Sequence, residues 1–328
     1  MSADLRGIGW ALLVWSVSFA NNANEASTWY LNTENDIVFG GDGDYTSGIS
    51  LGWTSAEQTD RAQLSKANAW QTHFLVPTQD SNNWQTGWRL HQLIWTPPVI
   101  EYSRPQPYAR PYAGWLGIES HAANYSEHWV HKNWVSVGVT GPMSQADSVQ
   151  KKVHKWTGSD TPLGWHHQIK NQGTLQLAYE VDGLIKRAPI GGLEWEASGF
   201  GYLQAGTLRS ELLGGLSLRL GEQLATSFGR QSRHYGQHSR IAPAPEFRWH
   251  AYLRLDGGYR FNDLSIEGEV DHDNRTYVEH WRAHGVLGVR LQWGAWSLDT
   301  GVHGYRRDYT PDKKPFRGYG SLVISYRG

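Results

Sequence analysis

Gln150 and His154 stand four residues apart, one turn of a helix, within a stretch whose apolar residues also recur at helical spacing. An imidazole titrates near neutrality, so His154 has the chemistry of a general base that takes a proton from water. A second group lies far upstream, where Asn35 and Asp36 end one strand-like segment and Thr46 opens the next. Amide, carboxylate and hydroxyl oxygens are what a hard cation such as calcium selects. Between them runs Gly40-Gly41-Asp42-Gly43-Asp44, which reads as turn chemistry. Asn35, Asp36 and Thr46 sit where no turn requires them. Gly-x-Ser-x-Gly, His-Glu-x-x-His and Walker signatures are all absent, so nucleophilic serine, zincin and nucleotide chemistry lack support. The remaining histidines fall mostly alone on strand-like segments and read as polar-face residues. His166-His167 would send its two rings to opposite faces of a strand and reads as structural.

Something must position these groups. Over residues 144–157, Ala146, Val149, Val153 and Trp156 recur at helical spacing, which predicts a short helix in a loop. Ser144 and Asp147 form an expected capping box, and Gly158 an expected C-terminal cap. The adjacent polar stripe carries Asp147, Gln150 and His154. Elsewhere the dominant signal after residue 27 has a period of two. Within residues 281–293, Trp281, Ala283, Leu287, Val289, Leu291 and Trp293 alternate with Arg282, His284, Arg290 and Gln292. Leu212, Leu216, Leu218 and Leu220 alternate with Ser217 and Arg219, and Phe247, Trp249, Leu253 and Leu255 with Arg248, His250 and Arg254. Such segments fall near 28–38, 45–56, 87–98, 112–127, 131–142, 174–187, 193–208, 210–221, 247–261, 280–294, 295–308 and 318–327. Twelve is an even number, as a closed up-and-down barrel needs. The expected fold is all-β, a closed antiparallel transmembrane β-barrel of about 12 strands.

Composition supports that class. Eighteen Trp, sixteen Tyr and thirty-seven Gly accompany a mean hydropathy of −0.56, too aromatic for disorder and too polar for membrane helices. Barrels reconcile the two by alternating lipid-facing and lumen-facing residues and by ringing both interfaces with aromatics. A net charge of −1 gives no support for a nucleic-acid partner, and the lack of cysteine excludes disulfides and thiolate sites. Arg6 precedes an apolar run over residues 8–20 that ends Ser18-Phe19-Ala20. Residues 1–20 therefore read as a cleaved signal peptide and 21–328 as a single barrel domain in the outer membrane of a Gram-negative cell. A non-enzymatic channel or a structural barrel is the competing reading.

Three spaced stretches narrow the choice. Asn35-Asp36 and Tyr45-Thr46-Ser47-Gly48 come first, then Trp95-Thr96-Pro97 and Arg110-Pro111-Tyr112, then Gly141-Pro142, Val149-Gln150 with His154, and Trp165 with Gln168. In this order they resemble the lipid A deacylase LpxR family over about residues 29–171. The resemblance implies a monomeric twelve-stranded outer-membrane enzyme that removes the 3′-linked acyloxyacyl group of lipid A (lipopolysaccharide) and requires calcium. It implies that His154 is the general base, that Gln150, Asn35, Asp36 and Thr46 line the active site, and that Asp36 and Asp160 are metal ligands. Arg104 and Arg110 are the basic residues it assigns to the substrate. Asp160 stands where a family member carries Glu.

Overall fold

The computed structural model describes residues 27–36, 44–76, 83–234 and 244–328; the expected signal peptide and most of the 40–44 turn lie outside them. Twelve long strands close a barrel: β1 (Thr28–Asn35), β2 (Asp44–Thr54), β3 (Asn83–Thr96), β4 (Ala113–Tyr125), β5 (Trp129–Thr140), β6 (Gly173–Ile190), β7 (Leu193–Gly206), β8 (Arg209–Gly221), β9 (Ala244–Asp263), β11 (Trp281–Gly294), β12 (Trp296–Arg306) and β14 (Phe316–Arg327). Each pairs antiparallel with its neighbours, and β1 meets β14 in a register running from Thr28 opposite Arg327 to Asn35 opposite Gly320. All twelve expected segments are present. A separate pair, β10 (Tyr277–Val278) with β13 (Tyr309–Thr310), was not legible in the sequence because two-residue strands carry no period.

Alternation settles which face turns inward. On β11, Trp281 and Leu287 are each 63 % exposed, whereas Arg282 and Arg290 are 7 % and 2 % exposed. Leu212, Leu216, Leu218 and Leu220 on β8 likewise face out while Ser217 and Arg219 are buried. An apolar belt of this extent suits hydrocarbon, and the charged face is enclosed. The loops over 97–112, 141–172 and 264–280 gather at one end, which marks it as extracellular. At the other end lie the first residue of β1, the last of β14 and tight turns such as Gly191-Gly192 and Ala295.

Enclosed charge has to be neutralised internally. Lys132 Nζ lies 3.0 Å from Glu180 and 2.8 Å from Asp182, Arg89 2.7 Å from Glu119, and Arg290 2.9 Å from Asp299. The connection after β8 folds back into the lumen and joins this network. Lys132 donates to the carbonyls of Gly229 and Gln231, His234 Nε2 meets Glu119 at 2.7 Å, Arg233 meets Asp256 at 3.1 Å, and Ser232 donates to Glu180. These partners sit on β4, β5, β6 and β9, so the segment crosses the bore. A wide aqueous channel does not fit that arrangement.

Two short helical segments lie on the outer wall. Near the periplasmic end, α1 (Lys66–Ala69) is flanked by 3-10 turns over Arg61–Gln63 and Trp70–Phe74. Near the extracellular end is α2 (Ala146–Thr157), two residues shorter at its start than the expected helix. The expected capping box does not form. Pro142 begins a 3-10 turn over Gly141–Ser144, and Ser144 donates to the Gly141 carbonyl within it at 2.6 Å. The N-cap is Gln145 at a φ of 58°, and Asp147 instead accepts from the Ser148 amide at 2.6 Å. Gly158 does cap the C-terminus, at a φ of 72°. His166 and His167 lie in a 3-10 turn over Trp165–His167, not on a strand. Three residues per turn keep successive rings on neighbouring faces, and theirs are 4.0 Å apart.

Replacing Lys132 by Met would leave Glu180 and Asp182 without their ammonium partner and cut the plug's tether to β5. The expected cost is about 3–5 kcal/mol, the range for breaking a buried ion pair from one side. Denaturant titration of the vesicle-inserted barrel, read as loss of the compact unheated band on gels, measures it; a variant as resistant as the parent would deny the pair a structural role.

Candidate active site

Outside the barrel, β3 and β4 carry the wall on which α2 docks. Leu93 and Trp95 point into the lumen, so Ile94 and Thr96 face out. Ile94 packs with Ile100, Tyr112, Ala146 and Trp165 in one buried cluster, which sews the 97–112 and 141–172 loops to the wall. Tyr112 donates to the Ile100 carbonyl at 2.9 Å, and burial pushes its hydroxyl up to about 12, so it stays a donor. Gln92 donates to the Ser144 carbonyl at 2.8 Å, and Asn171 accepts from the Met143 amide at 2.8 Å. Gly114 makes the close docking possible, since a Cβ there would overlap Ala146 and the Ser144 hydroxyl.

The helix lands with Gln150 and His154 of its polar stripe against the wall. Gln150 and His154 are buried at 3 % and 7 % exposure, while Trp156 is 84 % exposed and Val153 is exposed with it. Only Ala146 and Val149 of the apolar stripe pack inward. The period alone could not reveal this, because the wall that α2 meets is itself the lipid-facing surface of a barrel.

Each buried polar group is held in a definite state. His154 Nδ1 donates to the main-chain carbonyl of Asp160 at 2.5 Å. That bond selects the tautomer with Nδ1 protonated and leaves Nε2 as an acceptor. Trp165 Nε1 donates to Gln150 Oε1 at 2.7 Å, and Gln150 Nε2 is buried with no acceptor among the described residues. Thr46 is the extra residue of a β-bulge, since Tyr45 stands opposite Trp95 and Ser47 opposite Ile94. The bulge turns Tyr45 into the lumen, where it donates to Glu34, and brings Thr46 Oγ1 to 2.7 Å from Thr96 Oγ1. Asn35 stands opposite Ser47 on the same outward side as Thr33 and Leu31, and Asp36 is buried directly after β1.

Asn35, Thr46, Gln150 and His154 thus belong to the extracellular end of one sector of the wall, β1 to β4 with α2. The other expected residues separate from them. Asp160 is exposed and engages His154 through its main chain. Arg104 is exposed on the 97–112 loop, with its guanidinium 5.5 Å from the Tyr102 ring. Arg110 turns over the rim into the barrel mouth, where it is 1 % exposed, donates to Ser265 at 2.9 Å and lies 3.7 Å from Asp308. Burial works against the Asp308 charge, but Arg282, Arg260 and Arg110 hold its carboxyl well below the usual carboxylate range. Arg110 is therefore part of the lid over the lumen. Thr96 and Trp165 lay in quoted motifs without a role; only the register and the docked helix show that they hold Thr46 and Gln150.

A family profile described as outer membrane protein LpxR matches residues 8–328. No curated protein matches. Among solved structures, LpxR from Salmonella typhimurium superposes with a TM-score of 0.75 at 13 % identity, covering 91 % of this chain and 99 % of that one. The β domain of the Bordetella autotransporter Brka reaches 0.43 at 12 % identity, covering 93 % and 98 %, and the translocator domain of NalP from Neisseria meningitidis 0.38 at 12 %, covering 92 % and 87 %. On the profile match across nearly its whole length, the chain belongs to the LpxR family of outer membrane proteins.

Proposed function

We propose that this protein is a lipid A 3′-O-deacylase: a monomeric, calcium-dependent hydrolase that removes the 3′-linked acyloxyacyl chain from lipid A in the outer leaflet. The observation that carries the reading is the His154 Nδ1 bond to the Asp160 carbonyl on the lipid-facing side of the barrel, which leaves Nε2 ready to accept a proton. Family membership and the order of the site motifs along the chain support the same substrate.

In this reading His154 Nε2 takes a proton from water as that water attacks the ester carbonyl, and returns it to the departing alkoxide. Gln150, with Oε1 engaged by Trp165, offers its buried Nε2 as a donor to the carbonyl oxygen while negative charge builds there. Burial of both groups against the wall excludes bulk water and strengthens that donor. In this reading Arg104, which is exposed beside Tyr102, meets a lipid phosphate.

The donor chemistry near β1 and β2 fits calcium. Asp36, Asn35 and Thr46 offer only hard oxygens, and they would hold the ion with further carbonyl, water or substrate oxygens. Among the described residues no three His, Asp or Glu side chains gather at one point, and Asp160 has an exposed side chain, so Asp36 is the principal carboxylate in this reading. When bound, calcium supplies positive charge against the developing oxyanion.

His154→Ala should lower deacylation about 10²- to 10⁴-fold, read by mass spectrometry of lipid A from expressing cells, with outer-membrane abundance unchanged. His166→Ala, on the neighbouring 3-10 turn, should stay near the parent. Full activity of His154→Ala would place the base elsewhere.

Chelation should abolish deacylation by the purified barrel, and added calcium should restore it while the unheated gel band stays compact throughout. Asp36→Ala should raise the calcium needed for half activity more than Asp160→Ala does. Activity that persists in excess chelator would remove calcium from the mechanism.

A further inference from the structure

At the periplasmic end, residues 60–76 lie against the outer wall of β3 to β6, a surface that elsewhere faces lipid. Asn68 donates to the Gly87 carbonyl at 2.8 Å and to Ser120 Oγ at 2.9 Å, and Asn133 donates to the Gln71 carbonyl at 2.8 Å. Leu64 and Leu75 pack with Trp84 and Ala122, and Tyr179 accepts from the Val76 amide. Thr86, Ala122, Asn133 and Tyr179 stand in register on adjacent strands, and the segment buries Thr86, Ala122 and Asn133. Small and polar outward residues of this kind are poor partners for acyl chains. Near the same end the wall carries outward aromatics of its own, among them Trp29 of β1 against Trp88 of β3, and Trp296 against Tyr326.

Polar residues Asp60, Gln63, Ser65 and Lys66 are exposed in the first half of the segment, and beyond them the exposed residues are apolar apart from His73. Trp70, Phe74 and Val76 are 47 %, 67 % and 57 % exposed, and the Trp70 and Phe74 rings meet edge to face at 6.0 Å. Trp70 satisfies its own N–H on the Ala67 carbonyl, so the ring can leave water without an orphan donor. Lys66 is exposed one turn before Trp70, the spacing at which a lysine reaches headgroups beside an embedded ring. Trp129, 51 % exposed, is an outward aromatic at the periplasmic end of β5 on the same wall.

We infer that residues 60–76 form a collar seated in the periplasmic leaflet of the bilayer, where Trp70, Phe74 and Val76 contact phospholipid and carry the aromatic girdle over the small and polar outward residues of β3 to β6 that the segment covers. The occupant is lipid because the exposed face is continuous with the belt of the barrel itself.

The cysteine-free sequence permits a direct test in the full-length barrel. Single Phe74→Cys, Val137→Cys and Glu127→Cys variants carry an environment-sensitive fluorophore in phosphatidylcholine vesicles, with doxyl-labelled phosphatidylcholine or aqueous iodide as quencher. Val137 is a lipid-facing position within β5, and Glu127 lies in the exposed turn before it. The Phe74 label should lose fluorescence to doxyl lipid as the Val137 label does and resist iodide. Quenching by iodide to the extent seen at Glu127, without quenching by doxyl lipid, would overturn the inference. Insensitivity to both quenchers would also overturn it, because a second copy of the chain would then cover the face. Trp70→Cys, on the same surface, replaces Phe74→Cys if that variant does not insert.

Discussion

Hydrocarbon offers no partner to an amide or a charge, and every feature of this molecule answers to that constraint. The β1 to β14 seam leaves no open strand edge, and alternation sends the Arg, Asp and Glu of the strands inward except near the strand ends, as at Arg306 and Glu246. Inside, the charges have only one another. Lys132 with Glu180 and Asp182, and Arg260 with Glu211, Asp263 and Asp308, are pairs that a lumen must complete or forfeit. The segment after β8 enters the bore and adds carbonyls, His234 and Arg233 to the partners that Lys132, Glu119 and Asp256 already have on the strands.

A lumen committed to its own electrostatics leaves the outer wall as the surface for the proposed chemistry. A lipid substrate is already there. The 97–112 and 141–172 loops bend over the rim, join through Ile100, Tyr112 and Trp165, and lay α2 on the wall at Gly114. Gln150 and His154 of α2 then face the protein beside Ala146 and Val149, while Val153 and Trp156 are exposed among Lys151, Lys152 and Lys155. Val153 and Trp156 are turned toward the same medium as the barrel belt.

The same logic places auxiliary segments at both ends of one sector. On β3 and β4, α2 covers the outer face near the extracellular rim and the 60–76 segment covers it near the periplasmic rim. Those strands can carry Thr86, Ser120 and Thr96 outward only because other parts of the chain shield them from lipid.

Fold class was legible from the sequence because a period of two is a local property: each lipid-facing strand writes its alternation into consecutive residues, and twelve such runs imply closure. His154 and Gln150 were legible as a pair because one helical turn is also local. What only the tertiary structure decided depends on which surface meets which. The direction in which α2 presents its stripes, the burial of Arg110 in the barrel mouth while Arg104 stays exposed on the loop, and the use of Asp160 through its carbonyl all follow from loops packing across the rim. The bulge at Thr46 and the 3-10 turns that displaced the Ser144 cap and drew His166 and His167 together belong to the same class. Such features arise where the chain leaves its repeating pattern, and there residue spacing carries no record of the neighbour it will meet.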